Sequence, residues 1–412
     1  MRTAIAALGI TAWLPLMGCS SSDNPAHSNN ATGGSTALTP GGSGGTGGTT
    51  AAMGGVANGG TPSGGAAQGG AATGGTANGG MATTGGAGGS GDSAGSGGSG
   101  GADMGGTGGM AGNASAGGTT GLMLVPPIER TGIHTLEFGN TLFEVDGMVG
   151  ARVISFKEGG TNILTGPTNN AMFYGSTLWT GPESEWGTNP FMAVPGIDSD
   201  PYTMTVEQNS IIVGQSAPFM IATKPLSANK RFSADLAKNA IVIDYSLKNE
   251  GATAFDIGLW EVTRVLGEGL TFYPTGANAT TLYGSLAVQA MAGHDWIDHA
   301  AFTAGMASKT GADATGGWIA HVQADPGGDL LFIKQFPDVA DGMAAPGETE
   351  VEVFEQSDAS YIELELHSQY GSIAAGASKS WQVRWYLRRL PAGTDVSVGS
   401  QALIDAVTAA IQ

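Results

Sequence analysis

Cysteine and positive charge are both scarce in this sequence. Cys19 is the only cysteine among 412 residues, so an internal disulfide is excluded. Lys and Arg number 16 against 35 Asp and Glu, which gives a formal net charge of -19. Such an acidic chain is unsuited to binding nucleic acid, anionic lipid or an acidic polymer through bulk charge. We therefore expect no nucleic-acid partner.

Several common motifs are also missing. Residues 122–412 contain no phosphate-binding loop, no dinucleotide-binding fingerprint and no nucleophile elbow. The chain has no run of about 18 apolar residues that would span a membrane as a helix. These absences predict a protein without a nucleotide cofactor, and we expect no resident metal.

The first 19 residues have the composition of an export signal. Arg2 precedes the apolar run AIAALGITAWLPL, and Leu16-Met17-Gly18-Cys19 has the pattern of a bacterial lipobox. The sequence therefore predicts lipidation at Cys19. The alternative is an ordinary secretory signal that happens to contain cysteine. Because Ser20 and not Asp follows the cysteine, we expect lipid anchoring at the outer membrane or cell surface, with the periplasmic leaflet also open.

Residues 20–121 consist of Gly, Ala, Ser, Thr and Asn in segments such as GGTANGGMATTGG. A segment with so little to bury does not offset the entropy lost on ordering, so it is predicted to be a disordered linker. Roughly 100 flexible residues have a root-mean-square span of about 50–60 Å. A stacked polyglycine rod is the alternative, but no apolar residue recurs at a fixed period.

Short alternating segments separated by turn residues fill residues 122–412. One hairpin is predicted over His134–Asp146, and another joins Lys230–Lys238 to Ala240–Lys248. Only Ser400–Ile411 has helical spacing, with Ser400 as its N-cap. The pattern predicts one all-β domain, a sandwich of antiparallel sheets that ends in a short helix, and we expect a monomer.

The stretch Tyr361–Leu387 contains two alternating segments joined by a Gly-containing connection. On a strand, Glu363, Glu365 and His367 share one face with Tyr361. Polar residues also alternate along the second segment, and the two segments are predicted to pair. Together they would form a polar floor for a ligand.

A family resemblance follows from four motifs, which are VDGMVGARVISFKEGGTNIL, GSTLWTGPESEWG, KRFSADLAKNAIVIDYSLKNEGATAFDIGLWEVTRV and YIELELHSQYGSIAAGASKSWQVRWYL. Across most of residues 124–391 the chain resembles galactose mutarotase-like domains. More narrowly, it resembles the bacterial family catalogued as domain of unknown function 4380. The resemblance implies a supersandwich of two large antiparallel sheets whose concave face binds carbohydrate, and the narrower family has no assigned reaction.

Mutarotases open and reclose a sugar ring with a base and an acid placed on opposite sides of it. By resemblance, Glu365 matches the base, and Glu363 lies two residues away on the same face. His367, His294 or a tyrosine would then supply the acid. The alternative is that both glutamates pair with Arg384, Arg388 or Lys334, since structural ion pairs are commoner than catalytic pairs.

Two departures from the mutarotase pattern put epimerase activity in doubt. The position of the acid histidine is occupied by Trp260-Glu261, and TLWTGPESEWG lacks the arginine of the Asn-Arg pair that holds substrate hydroxyls. Tryptophan takes their place, at Trp179, Trp186 and Trp260. Indole rings stack well on the C–H face of a sugar, although core packing is the alternative for each.

Charged residues complete the predicted site. Glu261, Arg264, Lys334 and Arg384 are candidate hydrogen-bonding ligands for a sugar, with Glu261 and Arg264 on opposite faces of their strand. Other potential metal ligands are His294, Asp295, Asp298 and His299, with Asp198 and Asp200 as potential calcium ligands. Their spacing matches no established metal motif.

Three functional hypotheses stay open at this point. The first is a lipid-anchored envelope protein that displays a domain for binding a sugar or neutral glycan. The second is an aldose 1-epimerase-like or other carbohydrate-active enzyme with Glu365 as base. The third is a structural envelope protein, because one fold hosts many functions.

Overall fold

A computed structural model describes residues 122–187, 193–207, 209–215, 217–301 and 305–412. The predicted signal and linker, residues 1–19 and 20–121, lie outside the described residues. No helix in the described part is both long and apolar enough to cross a membrane.

Within these residues the chain forms two antiparallel sheets, of 12 and 11 strands. The first, sheet A, consists of β1 (Leu124–Arg130), β2 (Ile133–Phe138), β3 (Thr141–Asp146), β4 (Arg152–Glu158), β5 (Thr161–Asn162), β6 (Ser176–Gly181), β12 (Phe255–Val265), β14 (Ala277–Tyr283), β17 (Ser308–Asp313), β20 (Val351–Glu355), β21 (Ile362–His367) and β22 (Gly371–Ile373). Its order is β1-β2-β3-β4-β6-β12-β21-β20-β17-β14, with β5 on β4 and β22 on β12. Strand β12 therefore lies in the middle of sheet A, between β6 and β21.

The second, sheet B, consists of β7 (Tyr202–Glu207), β8 (Ser210–Gln215), β9 (Phe219–Ile221), β10 (Lys224–Asp235), β11 (Ala240–Asn249), β13 (Leu270–Pro274), β15 (Gln289–Met291), β16 (His294–Asp298), β18 (Trp318–Gln323), β19 (Leu330–Gln335) and β23 (Ser378–Arg389). Its order is β15-β16-β13-β18-β19-β23-β11-β10-β8-β7, with β9 on β10. The chain crosses between the sheets repeatedly, so neighbouring strands are often far apart in sequence.

Helical structure is limited in the described residues. A four-residue α1 (Pro195–Asp198), two single 3₁₀ turns (Glu183–Glu185 and His299–Ala301) and α2 (Gln401–Ile411) are present. The Ser400 side chain accepts a hydrogen bond from the Leu403 backbone N–H at 3.4 Å, which is the predicted N-cap. The predicted all-β architecture with one C-terminal helix is confirmed.

Turn chemistry and alternation explain the local folding. Gly139 has φ of +55° in the turn between β2 and β3, and Asn239 has φ of +48° at the end of the turn between β10 and β11. Both residue types tolerate this left-handed conformation. Both predicted hairpins are confirmed. Sequence reading missed several strands, among them β6, β13, β14, β15, β16 and β17. Strand β15, for example, has three residues, none of them branched or aromatic.

The main core lies between the two sheets. Phe143 and Phe156 of sheet A meet Trp385 of sheet B, with ring centroids 6.0 and 5.7 Å apart. Sheet packing of this kind buries the inward residues of both layers. On the other side of sheet B, α2 buries Leu403 and Val407 in a second, smaller cluster. Sheet B is thus covered on both faces.

One ion pair bridges the two sheets inside this core. The Glu261 carboxylate, on β12, lies 2.9 Å from Lys334 Nζ, on β19, and both side chains have no exposed surface. Tyr245 donates its hydroxyl to Glu261 at 2.7 Å, and Lys334 also donates to the Leu364 carbonyl at 2.7 Å. Burial lowers the pKa of Lys334, and the nearby Glu261 opposes that shift. These hydrogen bonds replace part of the hydration that the two charged groups lose on burial.

The predicted pairing of the two segments in Tyr361–Leu387 is wrong. Strand β21 pairs with β12 and β20 in sheet A, whereas β23 pairs with β11 and β19 in sheet B. The Gly-containing connection contributes the short β22 and then crosses between the layers. Alternation predicts each strand correctly, but it carries no information on which sheet the strand joins.

The buried pair generates a stability prediction. Glu261→Gln or Lys334→Met alone is expected to cost about 3–5 kcal/mol, because each leaves one buried charge without its partner. The double variant should cost clearly less than the sum of the two. Chemical denaturation of all four proteins measures this coupling. The exposed pair Lys248 and Glu250 is the matched control, with little coupling expected. Additive costs at Glu261 and Lys334 would contradict the ion-pair account.

Candidate functional site

The register of β12 builds a cluster on the face of sheet A opposite to the face from which Glu261 projects. Trp260 lies opposite Trp179 of β6 on one side and opposite His367 of β21 on the other. In an antiparallel pair, directly opposed residues project from the same face. Four residues further along, Arg264 lies opposite Glu363. The predicted polar face of β21 therefore lies beside an aromatic strand.

The three predicted tryptophans meet in this cluster. Trp186 stacks on Trp260 with ring centroids 5.2 Å apart, and Trp179 packs edge-on against both at 5.1 and 5.4 Å. Trp179 and Trp260 are only 6% and 2% exposed. Trp186 is partly exposed, so it is the member of the cluster that meets solvent most.

Hydrogen bonds fix two of these rings. The Trp179 indole N–H donates to Asp198 of α1 at 2.8 Å, and Asp198 also accepts from Arg152 at 3.1 Å. The Trp186 indole N–H donates to the Thr180 carbonyl at 2.8 Å. Because Asp198 is engaged in this way, it acts as a support for Trp179, and its oxygens are not free for a calcium ion.

Glu365 lies beside the aromatic cluster. Its Oε2 accepts a hydrogen bond from the Trp260 indole at 2.8 Å and lies 2.9 Å from Lys309 Nζ. Its Oε1 is buried and has no hydrogen-bond partner among the described residues. Burial raises the pKa of Glu365 to about 8, although the Lys309 ammonium opposes the shift. One carboxyl oxygen is thus held in place, and the other is unengaged.

Glu363 has a different environment. Its Oε1 accepts from Arg264 Nε at 2.7 Å. The Arg264 guanidinium lies over the Trp179 and Phe173 rings, at 5.0 and 5.3 Å from their centroids. Both terminal guanidinium nitrogens are buried, and neither has a hydrogen-bond partner in the described ranges. Arg264 therefore neutralises Glu363 while keeping unused donors beside the tryptophans.

A third carboxylate, Glu352, lies opposite Glu365 on β20. Its Oε2 is 2.5 Å from Lys309 Nζ and 3.6 Å from His367 Nε2. Burial works to raise the pKa of Glu352, but Lys309 and His367 outweigh it and hold that pKa well below the usual range. The same carboxylates raise the pKa of Lys309 despite its burial. Lys309 is thus a fixed cation shared by Glu352 and Glu365.

Two further glutamates border the cluster. The Glu348 carboxylate accepts the Glu183 backbone N–H at 3.1 Å. Burial raises the pKa of Glu183 to about 7, and it raises the pKa of Glu348 as well, with Glu352 acting in the same direction on both. Carboxyl groups therefore outnumber cations throughout this region.

The structure brings together most of the predicted site residues and separates three of them. Together in the cluster are Trp179, Trp186, Trp260, Arg264, Glu363, Glu365 and His367. Glu261 and Lys334 instead form the inter-sheet pair, and Arg384 lies on sheet B, 3.5 Å from Asp235. These three residues are therefore not placed as sugar ligands of this site. Glu261 projects from the opposite face of β12, and Lys334 and Arg384 belong to sheet B. The predicted opposite orientation of Glu261 and Arg264 is confirmed.

The alternative that Glu363 and Glu365 form ion pairs is confirmed, but the predicted partners are wrong. Glu363 pairs with Arg264 and Glu365 with Lys309, not with Arg384, Arg388 or Lys334. Lys309 had no local signal in the sequence, since its role depends on β17 lying two strands from β21. Glu352 had a local signal, since the alternation in VEVFE predicts that it projects from the opposite face to Val351 and Val353.

The histidine-rich stretch around β16 does not converge on one point. His294 contacts its own turn through the Ala292 carbonyl at 2.8 Å. His299 instead contacts Glu355 and, at 2.7 Å, the Thr271 hydroxyl. These two histidines serve separate local structures.

A cavity of about 390 Å³ has Trp381 in its wall. Its lining comprises Asp244, Pro337, Asp338, Val339, Ser368, Gln369, Lys379, Ser380, Trp381 and Gln382. Its lining includes none of the three clustered tryptophans, although Ser368 directly follows His367. Trp381 can therefore report on a binding position distinct from the tryptophan cluster.

Comparison with known proteins adds similarities of structure only. No protein-family model and no curated protein matches the chain, so the narrower family resemblance stays a prediction. Similar solved structures include a Synechocystis sp. PCC 6803 protein, with 11% identity over 65% of this chain and 98% of that chain at a TM-score of 0.44. A galactose mutarotase-like protein from Lactobacillus casei ATCC 334 has 10% identity over 65% of this chain and 100% of that chain, at a TM-score of 0.43. Another, from Clostridium acetobutylicum, has 9% identity over 66% of this chain and 99% of that chain, at a TM-score of 0.42. Identities this low do not transfer a reaction.

Proposed function

We propose that this protein binds a sugar or neutral glycan at the tryptophan and glutamate face of sheet A. The observation that supports it most is the meeting of Trp179, Trp186 and Trp260, which are separated in sequence, beside two glutamates of β21. Aromatic rings next to a few directed polar groups are the usual composition of a sugar site.

The polar groups have the chemistry that hydroxyl groups require. Glu365 offers a free carboxyl oxygen as acceptor, and Arg264 offers two unused guanidinium nitrogens as donors. Both are buried in the absence of ligand, so a sugar must displace part of the cover. Trp186 is the partly exposed ring of that cover, and its ring would contact the sugar first.

The proposal extends to location. A lipid at Cys19 would anchor the chain to the bacterial envelope, and residues 20–121 would act as a flexible tether for the sugar-binding domain. The lipobox and the Gly-rich composition support this proposal. A tether of this length suits binding of glycans at some distance from the membrane.

A catalytic role is the second candidate. Trp260 and Lys309 fix the Glu365 carboxyl group through one oxygen, and its Oε1 has no hydrogen-bond partner in the described ranges. A carboxyl group held in this way is suited to acting as a base on a bound sugar. The reaction would be aldose 1-epimerase-like, with His367 or another neighbour as the acid. Binding without turnover is the simpler conclusion, since the acid histidine position is occupied by Trp260.

Sugar binding should depend on Trp186. We expect Trp186→Leu to weaken the affinity at least about tenfold, or about 1.4 kcal/mol, because the stacking surface is lost. Isothermal titration calorimetry of the full chain with a panel of neutral monosaccharides and oligosaccharides measures it. Trp318→Leu removes an indole from the second core cluster and should leave the affinity unchanged. Failure of the wild type to bind any member of the panel contradicts the proposal.

Turnover should depend on Glu365 if the domain is an enzyme. Polarimetry of a freshly dissolved sugar that binds should show accelerated mutarotation, and Glu365→Gln should abolish it while changing affinity less than about threefold. Glu250→Gln, at an exposed position directly after β11, is the control. Full activity in Glu365→Gln would exclude this residue, and a wild type without acceleration would exclude the enzyme while leaving the binding proposal intact.

Anchoring should depend on Cys19. In a bacterial host fed radiolabelled palmitate, the wild type should take up label and partition into the detergent phase, because an acyl chain adds apolar surface. Cys19→Ser should remain unlabelled and partition into the aqueous phase. An unlabelled wild type would contradict lipidation and support an ordinary secretory signal.

A further inference from the structure

Three potential metal ligands converge at the edge of the candidate site. One ligand atom each from Glu348, Glu352 and His367 lies within 4.8 Å of the other two. The residues come from two neighbouring strands and the loop before them, since Glu352 is on β20, His367 ends β21 and Glu348 precedes β20. The scaffold thus brings together two carboxylates and an imidazole from one short stretch, residues 348–367.

The imidazole stacks on Trp260 with ring centroids 4.8 Å apart, but one of its nitrogens lacks a hydrogen-bond partner. His367 is 1% exposed, and its Nε2 is buried without a hydrogen-bond partner in the described ranges. Its separation from Glu352 Oε2 is 3.6 Å, which is too long for a hydrogen bond. That separation is close to the distance between two ligand atoms on one tetrahedral metal ion, given bond lengths of about 2.0–2.2 Å. A buried imidazole nitrogen in this situation is costly unless a ligand engages it.

The local charge also favours a cation. Five carboxyl groups lie around this point, and two fixed cations, Lys309 and Arg264, accompany them. The carboxyl groups are Glu183, Glu348, Glu352, Glu363 and Glu365. Arg264 is engaged with Glu363, which leaves Lys309 to neutralise the rest. A divalent ion between Glu348 and Glu352 would add positive charge beside these carboxyl groups.

We propose that Glu348, Glu352 and His367 bind a divalent transition-metal ion of the zinc, cobalt or manganese class. Two carboxylates with one imidazole suit these ions better than calcium, which takes six to eight oxygen ligands. Three protein ligands leave a coordination position for water or a ligand hydroxyl. The proposal does not rest on sugar binding, because it concerns only the metal and its three ligands.

Cobalt(II) is a suitable probe for the site. The full chain is dialysed against chelator and titrated with Co²⁺ while its visible absorption is recorded. We expect saturation at one equivalent, d–d bands without a thiolate charge-transfer band, and displacement by Zn²⁺. Glu348→Gln, which keeps the shape of a partly buried side chain, should weaken binding by about tenfold or more, as expected when a group that supports a metal site is lost.

Folding controls keep the test decisive. His367→Gln should also weaken binding, and Co²⁺ should raise the melting temperature of the wild type but of neither variant. Glu250→Gln, a carboxyl change remote from β20 and β21, should bind like the wild type. Absence of saturable binding, a cobalt–thiolate band that assigns the ion to Cys19, or unchanged affinity in both site variants would each overturn the metal proposal. Because no sugar is present, none of these results bears on sugar binding.

Discussion

Alternation along β12 is the constraint on which the rest of the structure depends. Trp260 faces the candidate site, and its neighbour Glu261 faces the core, where it pairs with Lys334 of the other sheet. The same strand therefore presents an aromatic surface on one side and holds the two sheets together on the other. A shift of register by one residue would exchange these faces and place Trp260 between the sheets. Site and fold are thus specified by one alternating pattern.

Burial gives the candidate site its chemical character. Glu365, Glu352 and Lys309 are largely removed from water, so the charge of each depends on its neighbours more than on bulk solvent. Burial and nearby carboxylates push the pKa of Glu365 up, whereas Lys309 and His367 hold that of Glu352 down. Two glutamates on adjacent strands therefore differ in protonation. A ligand that enters must displace part of the Trp186 cover and form hydrogen bonds with the unpartnered polar atoms of Glu365 and Arg264. A molecule rich in hydroxyl groups can do this.

Sequence reasoning predicted the local features well, because they depend on short-range patterns. Alternation placed Glu363, Glu365 and His367 on one face, and the turn and capping residues predicted both hairpins and α2. It could not show that β23 joins the other sheet, since that choice depends on contacts far apart in sequence. For the same reason Lys309 was missed, and Glu261 was assigned to the site when its partner lies across the core. The convergence of the three tryptophans required the register of β6 against β12.

Fluorine NMR of the full chain labelled with 5-fluorotryptophan would test the sugar-binding face most directly. The chain contains eight tryptophans, and single substitutions assign each resonance. At saturating concentrations of a neutral oligosaccharide, the account predicts shifts for Trp186 and its neighbours Trp179 and Trp260, with Trp296 unchanged. Shifts confined to Trp381, in the wall of the cavity, would contradict it and move the binding site away from the tryptophan cluster.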